Sequence, residues 1–191
     1  MIEVEIKLPA ADLKWLEQQL LAAGFQNSGS EQECDVYFDN ARGEIRGSGG
    51  ALRVRETAEG SGGRIRAQIN WKGKKLDART MTREELETGV EDEAVCRKIL
   101  QALGYFPVEP EVRKNRTMLR KGPVTACLDQ VQGLGGFLEL EILAEGDRER
   151  EAALERLWQI LEALGYQETD TVNSSYLSML QRKIYGKQDE K

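Results

Sequence analysis

Charged and apolar residues alternate strictly at the start of the chain. Glu3, Glu5 and Lys7 occupy every second position, and isoleucine or valine fills the positions between them. Because side chains two apart in a strand share a face, the three charged groups project to one side. Clustered carboxylates repel one another until a hard cation such as Mg²⁺ enters, and a neighbouring ammonium can bind phosphate oxygens. One face of this segment is therefore predicted to be wholly ionic.

The same alternation recurs in strand-like segments along the whole chain. The basic positions of this pattern are Lys7, Arg53, Arg55, Arg66, Lys72, Arg83, Lys114 and Arg116. Its acidic positions are Glu3, Glu5, Glu85, Glu87, Asp129, Glu139 and Glu141. Any single strand of this kind fits an antiparallel sheet with an ordinary solvated face. Doublets of arginine and glutamate in successive strands fit that alternative poorly and favour one shared ionic surface.

Helical periodicity accounts for the apolar faces of these strands. Helices are predicted from about 12 to 23, from 91 to 103 and from 147 to 164, each ending at a glycine followed by an aromatic residue. If the helices cover the apolar faces, the ionic faces line either open water or the inside of a closed sheet. A closed, charged interior is costly unless the charges pair or meet a charged ligand. Such an interior therefore implies a ligand.

The remaining segments are less informative. The glycine-rich stretches 43–50 and 60–63 predict turns between neighbouring strands. A phosphate-cradling loop is the alternative, but neither stretch has P-loop spacing. The basic run 72–75 fits either an entrance to the interior or a solvated turn.

Composition limits the class of protein. The 191 residues are 40% hydrophobic and 31% charged, with a formal net charge of −6. These values predict one soluble domain over residues 1–185, a disordered polar tail over 186–191, and no nucleic acid as main partner. No apolar run is long enough to span a membrane, and no signal peptide is recognised. Three scattered cysteines predict free thiols and a cytoplasmic location, and the absence of histidine indicates that any metal is bound by oxygen.

A series of motifs in a fixed order resembles the CYTH superfamily, also called triphosphate tunnel metalloenzymes. The matching segments are Glu3-x-Glu5-x-Lys7, 37–39 (YFD), 52–56 (LRVRE), 71–73 (WKG), 83–87 (REELE), Lys114-x-Arg116, 128–129 (LD) and 136–141 (GFLELE). The resemblance implies an α+β fold, in which an eight-stranded antiparallel closed β-barrel carries helices on its outside. Within the superfamily, the segment 174–180 and the turn 133–137 look most like the class IV adenylyl cyclases.

The resemblance also implies roles for the tunnel residues. The predicted substrate ligands, which would bind phosphate, are Lys7, Arg53, Arg55, Arg66, Lys72, Arg83, Lys114 and Arg116. The predicted metal ligands, for Mg²⁺ or Mn²⁺, are Glu3, Glu5, Glu85, Glu87, Asp129, Glu139 and Glu141. Asp129, Glu85 and Glu87 are alternatively partners that orient basic side chains, and Glu87 and Glu141 are alternatively members of structural ion pairs. Catalytic roles are assigned to Glu5, Lys7, Lys72 and Glu139.

Three functions fit this prediction. The first is an adenylyl cyclase that converts ATP to cyclic AMP and pyrophosphate; the cyclase resemblance also suggests a homodimer. The second is a triphosphatase that releases orthophosphate from inorganic triphosphate or thiamine triphosphate. The third is a non-catalytic module that binds polyphosphate or phosphorylated protein. A dense set of carboxylates repels anions unless a metal is present, so the sequence favours an enzyme over the binding module.

Overall fold

The computed structural model describes residues 1–60, 63–77 and 79–186. Its strands are β1 Ile2–Pro9, β2 Gln26–Asn40, β3 Ala51–Glu59, β4 Ile65–Lys75, β5 Arg83–Val90, β6 Tyr105–Lys121, β7 Val124–Val131 and β8 Gly135–Ala144. Its helices are α1 Leu13–Ala22, α2 Glu44–Gly47, α3 Glu93–Ala102, α4 Asp147–Ala163 and α5 Tyr176–Tyr185, with a 3₁₀ turn at Glu168–Asp170. The predicted tail, apart from Gly186, and part of the predicted 60–63 turn lie outside the described residues.

The eight strands form one closed barrel in the order β1-β5-β4-β3-β2-β6-β7-β8. Every neighbouring pair is antiparallel, and β1 closes the barrel by pairing with both β5 and β8. Along the β1–β8 pair, Glu5 lies opposite Glu141 and Lys7 lies opposite Glu139. The helices lie outside, so the predicted α+β barrel is confirmed. Closure turns the alternating pattern of each strand into an inner ionic face and an outer apolar face.

Helices α1 and α4 cover the outer face of β1, β7 and β8. The fully buried side chains there include Val4, Ile6, Leu8, Leu16, Leu20, Leu157 and Leu161. Full burial of one such side chain stabilises a fold by about 1.5–3 kcal/mol, so this layer fixes the wall that carries Glu3, Glu5 and Lys7. The predicted glycine caps are also present, because Gly24, Gly104 and Gly165 have φ values of 88°, 89° and 85°.

Coverage of the outer face is incomplete on β4 and β5. Helix α3 packs Leu100 against Val36, Phe38 and Val54 of β2 and β3. Farther round the barrel, the outer residues Ile65, Trp71 and Leu86 are exposed by 63%, 37% and 56% respectively. The helices therefore leave this part of the apolar face uncovered, since α3 has only three turns and lies nearer β3 and β6.

Two further elements lie at the ends of the barrel. The predicted 43–50 turn contains the short helix α2, and Asp39 accepts hydrogen bonds from the backbone N–H groups of Ile45 and Arg46 at its start. Near the β7–β8 turn, Tyr176, Leu177 and Leu180 of α5 form a separate apolar cluster with Val112, Val131 and Phe137 of the barrel. Among the described helices, none is long and apolar enough to cross a membrane.

Candidate functional site

A cavity of about 1270 Å³ runs through the inside of the barrel. All eight strands contribute to its lining, and Ser175, Tyr176, Ser178 and Gln181 of the α5 region line it as well. Small-molecule sites typically have volumes of roughly 300–1,000 Å³, so the cavity has room for a nucleotide. The charged side chains on its walls decide which part of such a ligand each region can bind.

Three of the predicted metal ligands lie together on β1 and β8. One carboxylate oxygen from each of Glu3, Glu5 and Glu141 lies within 4.8 Å of the other two. Burial, together with the neighbouring carboxylates, raises the pKa of Glu5 and raises the pKa of Glu141 to about 8. A divalent cation would offset this repulsion, and an all-oxygen donor set suits Mg²⁺ or Mn²⁺. The three residues therefore fit the metal that the sequence predicts.

Glu139 has a different environment, although it lies one lumenal position from Glu141. Its carboxylate is 3.0 Å from the Lys7 ammonium and also pairs with Arg116. Burial alone would raise its pKa, but Lys7 and Arg116 hold the pKa of Glu139 well below its usual value. Lys7 in turn lies 3.1 Å from Glu5 and so joins Glu139 to the three-carboxylate group. Glu139 thus has two cationic partners, whereas Glu3, Glu5 and Glu141 each have one in the described part of the chain.

Asp129 lies behind the basic residues of β6 and is fully buried. It accepts two hydrogen bonds from Arg116, at 2.7 and 2.6 Å, and one from Lys114 at 3.2 Å. The Tyr176 hydroxyl donates another, at 3.0 Å. With its oxygens engaged in this way, Asp129 fits the alternative role of orienting Lys114 and Arg116 better than the role of metal ligand.

Two acidic residues of β2 belong to the same network and are absent from the predicted site. Asp35 accepts hydrogen bonds from Arg55 at 2.6 and 2.8 Å and from Arg53 at 3.3 Å. Glu33 lies 2.9 Å from Arg55 and 3.0 Å from Lys114. The alternation of acidic residues at positions 31, 33 and 35 carried the period-two signal that identified the other strands.

The remaining predicted residues are less tightly grouped. Lys72 pairs with Glu3 and, at 3.3 Å, with Glu85. Glu87 lies on an exposed part of β5 and accepts hydrogen bonds from Gln68 and Asn70. The Arg83 guanidinium, though buried, donates to the carbonyls of Gly49 and Gly73, and no carboxylate in the described part of the chain lies within ion-pair distance of it.

Arg66 is the one predicted substrate ligand that the structure does not bring into the cavity. Its side chain is 53% exposed and lies 3.1 Å from Glu59 and 3.5 Å from Glu31. Arg66 directly follows Ile65, the first residue of β4, and so precedes the part of the strand that lines the cavity. Its position fits a surface ion pair, which contributes little to stability.

The substitution Asp35→Asn is expected to lower the free energy of unfolding at pH 7 by about 3 kcal/mol. That is the low end for a broken buried ion pair, because Arg55 keeps Glu33 as a partner. Burial alone would raise the pKa of Asp35, but Arg55 and Arg53 lower it to about 2. Its stabilising effect is therefore complete above the unfolded value near 3.8 and is lost as the pH falls through 2.

Urea unfolding of the wild type and Asp35→Asn, repeated from pH 7 to pH 2, measures this effect. The difference in stability should be constant at neutral pH and should shrink below about pH 4. A difference that stays the same down to pH 2 would contradict the proposed pairing of Asp35.

Comparison with known proteins identifies the family. The family model for the CYTH domain matches residues 1–176. A protein of Methanocaldococcus jannaschii named "Putative adenylate cyclase MJ0240" is 35% identical over 94% of this chain and 98% of its own. The structure of the PH1819 protein from Pyrococcus horikoshii has a TM-score of 0.84 and 31% identity, over 95% of this chain and 99% of that one.

A more distant structure shares only the fold. The protein named "Putative adenylyl cyclase HpAC1" from Hippeastrum, whose structure is described as revealing a dominant triphosphatase activity, has a TM-score of 0.63 and 15% identity, and the match covers 95% of each chain. The family match spans most of the chain and includes every strand of the barrel and all the charged residues that line the cavity. The chain belongs to the CYTH domain family, whose triphosphate tunnel enzymes use divalent metal ions.

Proposed function

We propose that this protein is a divalent-metal-dependent adenylyl cyclase that converts ATP to cyclic AMP and pyrophosphate. The observation that carries the proposal is the placement of Glu3, Glu5 and Glu141 beside a buried cluster of arginines and lysines in one closed cavity. A metal–triphosphate complex meets both needs, because the cation neutralises the carboxylates and the phosphates neutralise the basic side chains. The name of the M. jannaschii relative supports the choice of a cyclase.

The basic residues would bind and orient the triphosphate. Lys7, Arg55, Lys72, Lys114 and Arg116 are buried or nearly so, each next to at least one carboxylate. Those carboxylates hold the long side chains in place before substrate arrives, so little conformational entropy is lost on binding. Guanidinium groups have five N–H donors, so Arg55 and Arg116 can bind phosphate oxygens while they keep their carboxylate partners.

In the proposed reaction, the ribose 3′-hydroxyl oxygen forms a bond to the α-phosphorus. The bond from that phosphorus to the oxygen bridging the β-phosphorus breaks, pyrophosphate leaves with that oxygen, and the hydroxyl proton passes to solvent water. Glu3, Glu5 and Glu141 would hold a divalent cation, which favours deprotonation of the hydroxyl and neutralises charge on the phosphates. Lys7 and Lys72 would stabilise charge on the phosphate oxygens, and Glu139 would keep Lys7 in position.

A triphosphatase is the second candidate. In that reaction, water attacks the terminal phosphorus, and the same cations and carboxylates are needed. The structural likeness to HpAC1, which is described as having a dominant triphosphatase activity, favours keeping this candidate. The two reactions differ in the nucleophile and in which phosphorus lies beside the three carboxylates. The third candidate, a non-catalytic polyphosphate-binding module, is disfavoured because Glu3, Glu5 and Glu141 would repel a polyanion without a metal.

Product analysis tests the proposed function. Purified protein incubated with ATP and Mn²⁺ or Mg²⁺ is expected to yield cyclic AMP and pyrophosphate in equal amounts. A matched preparation of Glu5→Gln serves as the control for contaminating enzymes. Orthophosphate released faster from inorganic triphosphate than from ATP, with no cyclic product, would overturn the cyclase and support the triphosphatase. Binding of triphosphate without any product would support the non-catalytic module.

A further inference from the structure

Tyr176, the first residue of α5, contacts charged groups on three different strands. Its ring centroid lies 4.3 Å from the Lys7 ammonium and 5.4 Å from the Lys114 ammonium. Its hydroxyl donates to Asp129 at 3.0 Å. Because α5 follows all eight strands in the chain, this side chain joins a late helix to the inner wall of the barrel.

Packing holds the ring of Tyr176 in a fixed orientation. Only 5% of Tyr176 is exposed, and its ring meets Phe137 edge-on with centroids 5.0 Å apart and an interplanar angle of 65°. Leu177 and Leu180, one residue and about one turn farther along α5, anchor the helix in the same apolar cluster. A ring restrained by Phe137 and by the hydrogen bond of its hydroxyl keeps its position beside the two ammonium groups.

An aromatic face acts on an ammonium differently from a carboxylate. It attracts the cation through its quadrupole but carries no net charge, so it restrains the group without neutralising it. The attraction is strongest where water is excluded, and Lys7 and Lys114 are only 4% and 6% exposed. The carboxylates near these lysines, by contrast, compete directly with phosphate for the same N–H donors.

We propose that Tyr176 is a positioning residue, which holds the Lys7 and Lys114 ammonium groups where they can bind the triphosphate. The inference rests on the proposed function only in assigning phosphate binding to these two lysines. It makes α5 part of the anion site rather than a helix that only covers one end of the barrel. Without the ring, each ammonium keeps its carboxylate partners but is no longer held in one position, and so binds phosphate more weakly.

Calorimetric titration with inorganic tripolyphosphate, in the presence of Mn²⁺, tests the role of the ring. In Tyr176→Phe, which keeps the aromatic face and loses the hydroxyl, the dissociation constant should stay within about threefold of the wild-type value. In Tyr176→Leu, which removes the face, it should rise about tenfold or more. Leu180→Ala is the packing control, because Leu180 belongs to the same apolar cluster of α5 but does not line the cavity. It should lower the melting temperature and leave the dissociation constant unchanged.

Fluorinated phenylalanines at position 176 provide a second test if Tyr176→Leu does not fold. Fluorine weakens the negative ring face while the shape is nearly kept, so the dissociation constant should rise stepwise from phenylalanine to the trifluoro and pentafluoro analogues. A dissociation constant that does not change along this series would overturn the proposal. So would an equal loss of affinity in Tyr176→Leu and Leu180→Ala, which would reduce Tyr176 to a packing residue.

These outcomes are separate from those of the product analysis. Tripolyphosphate binding is measured directly, so the effect of the ring can be read even if the wild type forms no cyclic AMP. If the wild type is a cyclase, Tyr176→Leu should raise the KM for ATP more than it lowers kcat, since a displaced lysine weakens binding of substrate and transition state alike.

Discussion

The substitution Glu5→Gln is expected to reduce metal-dependent turnover by about a thousandfold. This is the scale seen when a main electrostatic stabiliser of a transition state is removed. The substitution should not lower the stability of the fold. Glu5 is buried beside Glu3 and Glu141, and burial raises its pKa, so a neutral side chain relieves repulsion in the metal-free protein, while Lys7 keeps Glu139 as its carboxylate partner. Melting temperature and cyclic AMP formation, each measured with and without Mn²⁺, test both parts of this prediction.

The substitution Glu139→Gln is also expected to remove turnover, but it should lower the stability of the metal-free protein. Glu139 compensates the buried charges of Lys7 and Arg116, so its loss should destabilise the metal-free protein by about 3 kcal/mol or more. A simple cluster of repelling carboxylates would instead predict a gain of stability for both variants. The structure separates Glu5 from Glu139 because only Glu139 has two close cationic partners that lower its pKa.

The control for this pair is Glu155→Gln, which changes an exposed residue of α4 outside the barrel. It should leave both stability and turnover near the wild-type values. Full turnover of Glu5→Gln in the presence of Mn²⁺ would remove Glu5 from the metal site. Equal changes of melting temperature in Glu5→Gln and Glu139→Gln would contradict the different charge environments that we describe.

Much of the barrel could be predicted from the sequence because a strand has a period of two. The alternation around Glu3, Glu5 and Lys7 determines which side chains share a face, and closure of the sheet then makes that face the interior. Glycine caps such as Gly24 likewise report a local requirement, a positive φ, that can be read without knowing the tertiary structure. The closed ionic interior followed from these local rules together with the resemblance to the CYTH superfamily.

The pairing of charges inside the barrel could not be predicted in the same way. Whether Glu139 or Glu141 meets a cation depends on the register between strands and on the reach of Lys7 and Arg116, neither of which has a local signal. Arg66 has the correct alternation but stands near the end of β4, where the strand no longer lines the cavity. Alternation identifies a face of a strand, and strand length and tilt decide how much of that face is enclosed.

Contacts between elements that are far apart in the chain could not be predicted from the sequence either. Tyr176 belongs to a segment that resembled the cyclase group, yet its contact with Lys7 and Lys114 exists only because α5 returns to the barrel after all eight strands. Asp35, by contrast, could have been found. It follows Glu33 at the period of a strand, and its partners Arg53 and Arg55 were already identified as lumenal.

The substitution Lys114→Met is expected to weaken binding of inorganic tripolyphosphate by about 1.5–3 kcal/mol, the range for hydrogen bonds to charged groups. This corresponds to a loss of affinity of roughly tenfold to more than a hundredfold. Methionine keeps most of the length of lysine and removes only the charge and its donors. Lys98→Met, which removes a charge from an exposed position on α3, is the matched control and should have no effect.

Lys114 is a better test of phosphate binding than its neighbour Arg116, because the two differ in what their removal leaves behind. When Lys114 is lost, Glu33 keeps Arg55 and Asp129 keeps Arg116 as partners. When Arg116 is lost, Glu139 keeps Lys7, but Glu141 loses its only cationic partner in the described part of the chain. We therefore expect Arg116→Met to lower the melting temperature more than Lys114→Met does. Calorimetric titration decides the binding part: equal affinities for tripolyphosphate in Lys114→Met and Lys98→Met would mean that the β6 wall does not bind the triphosphate.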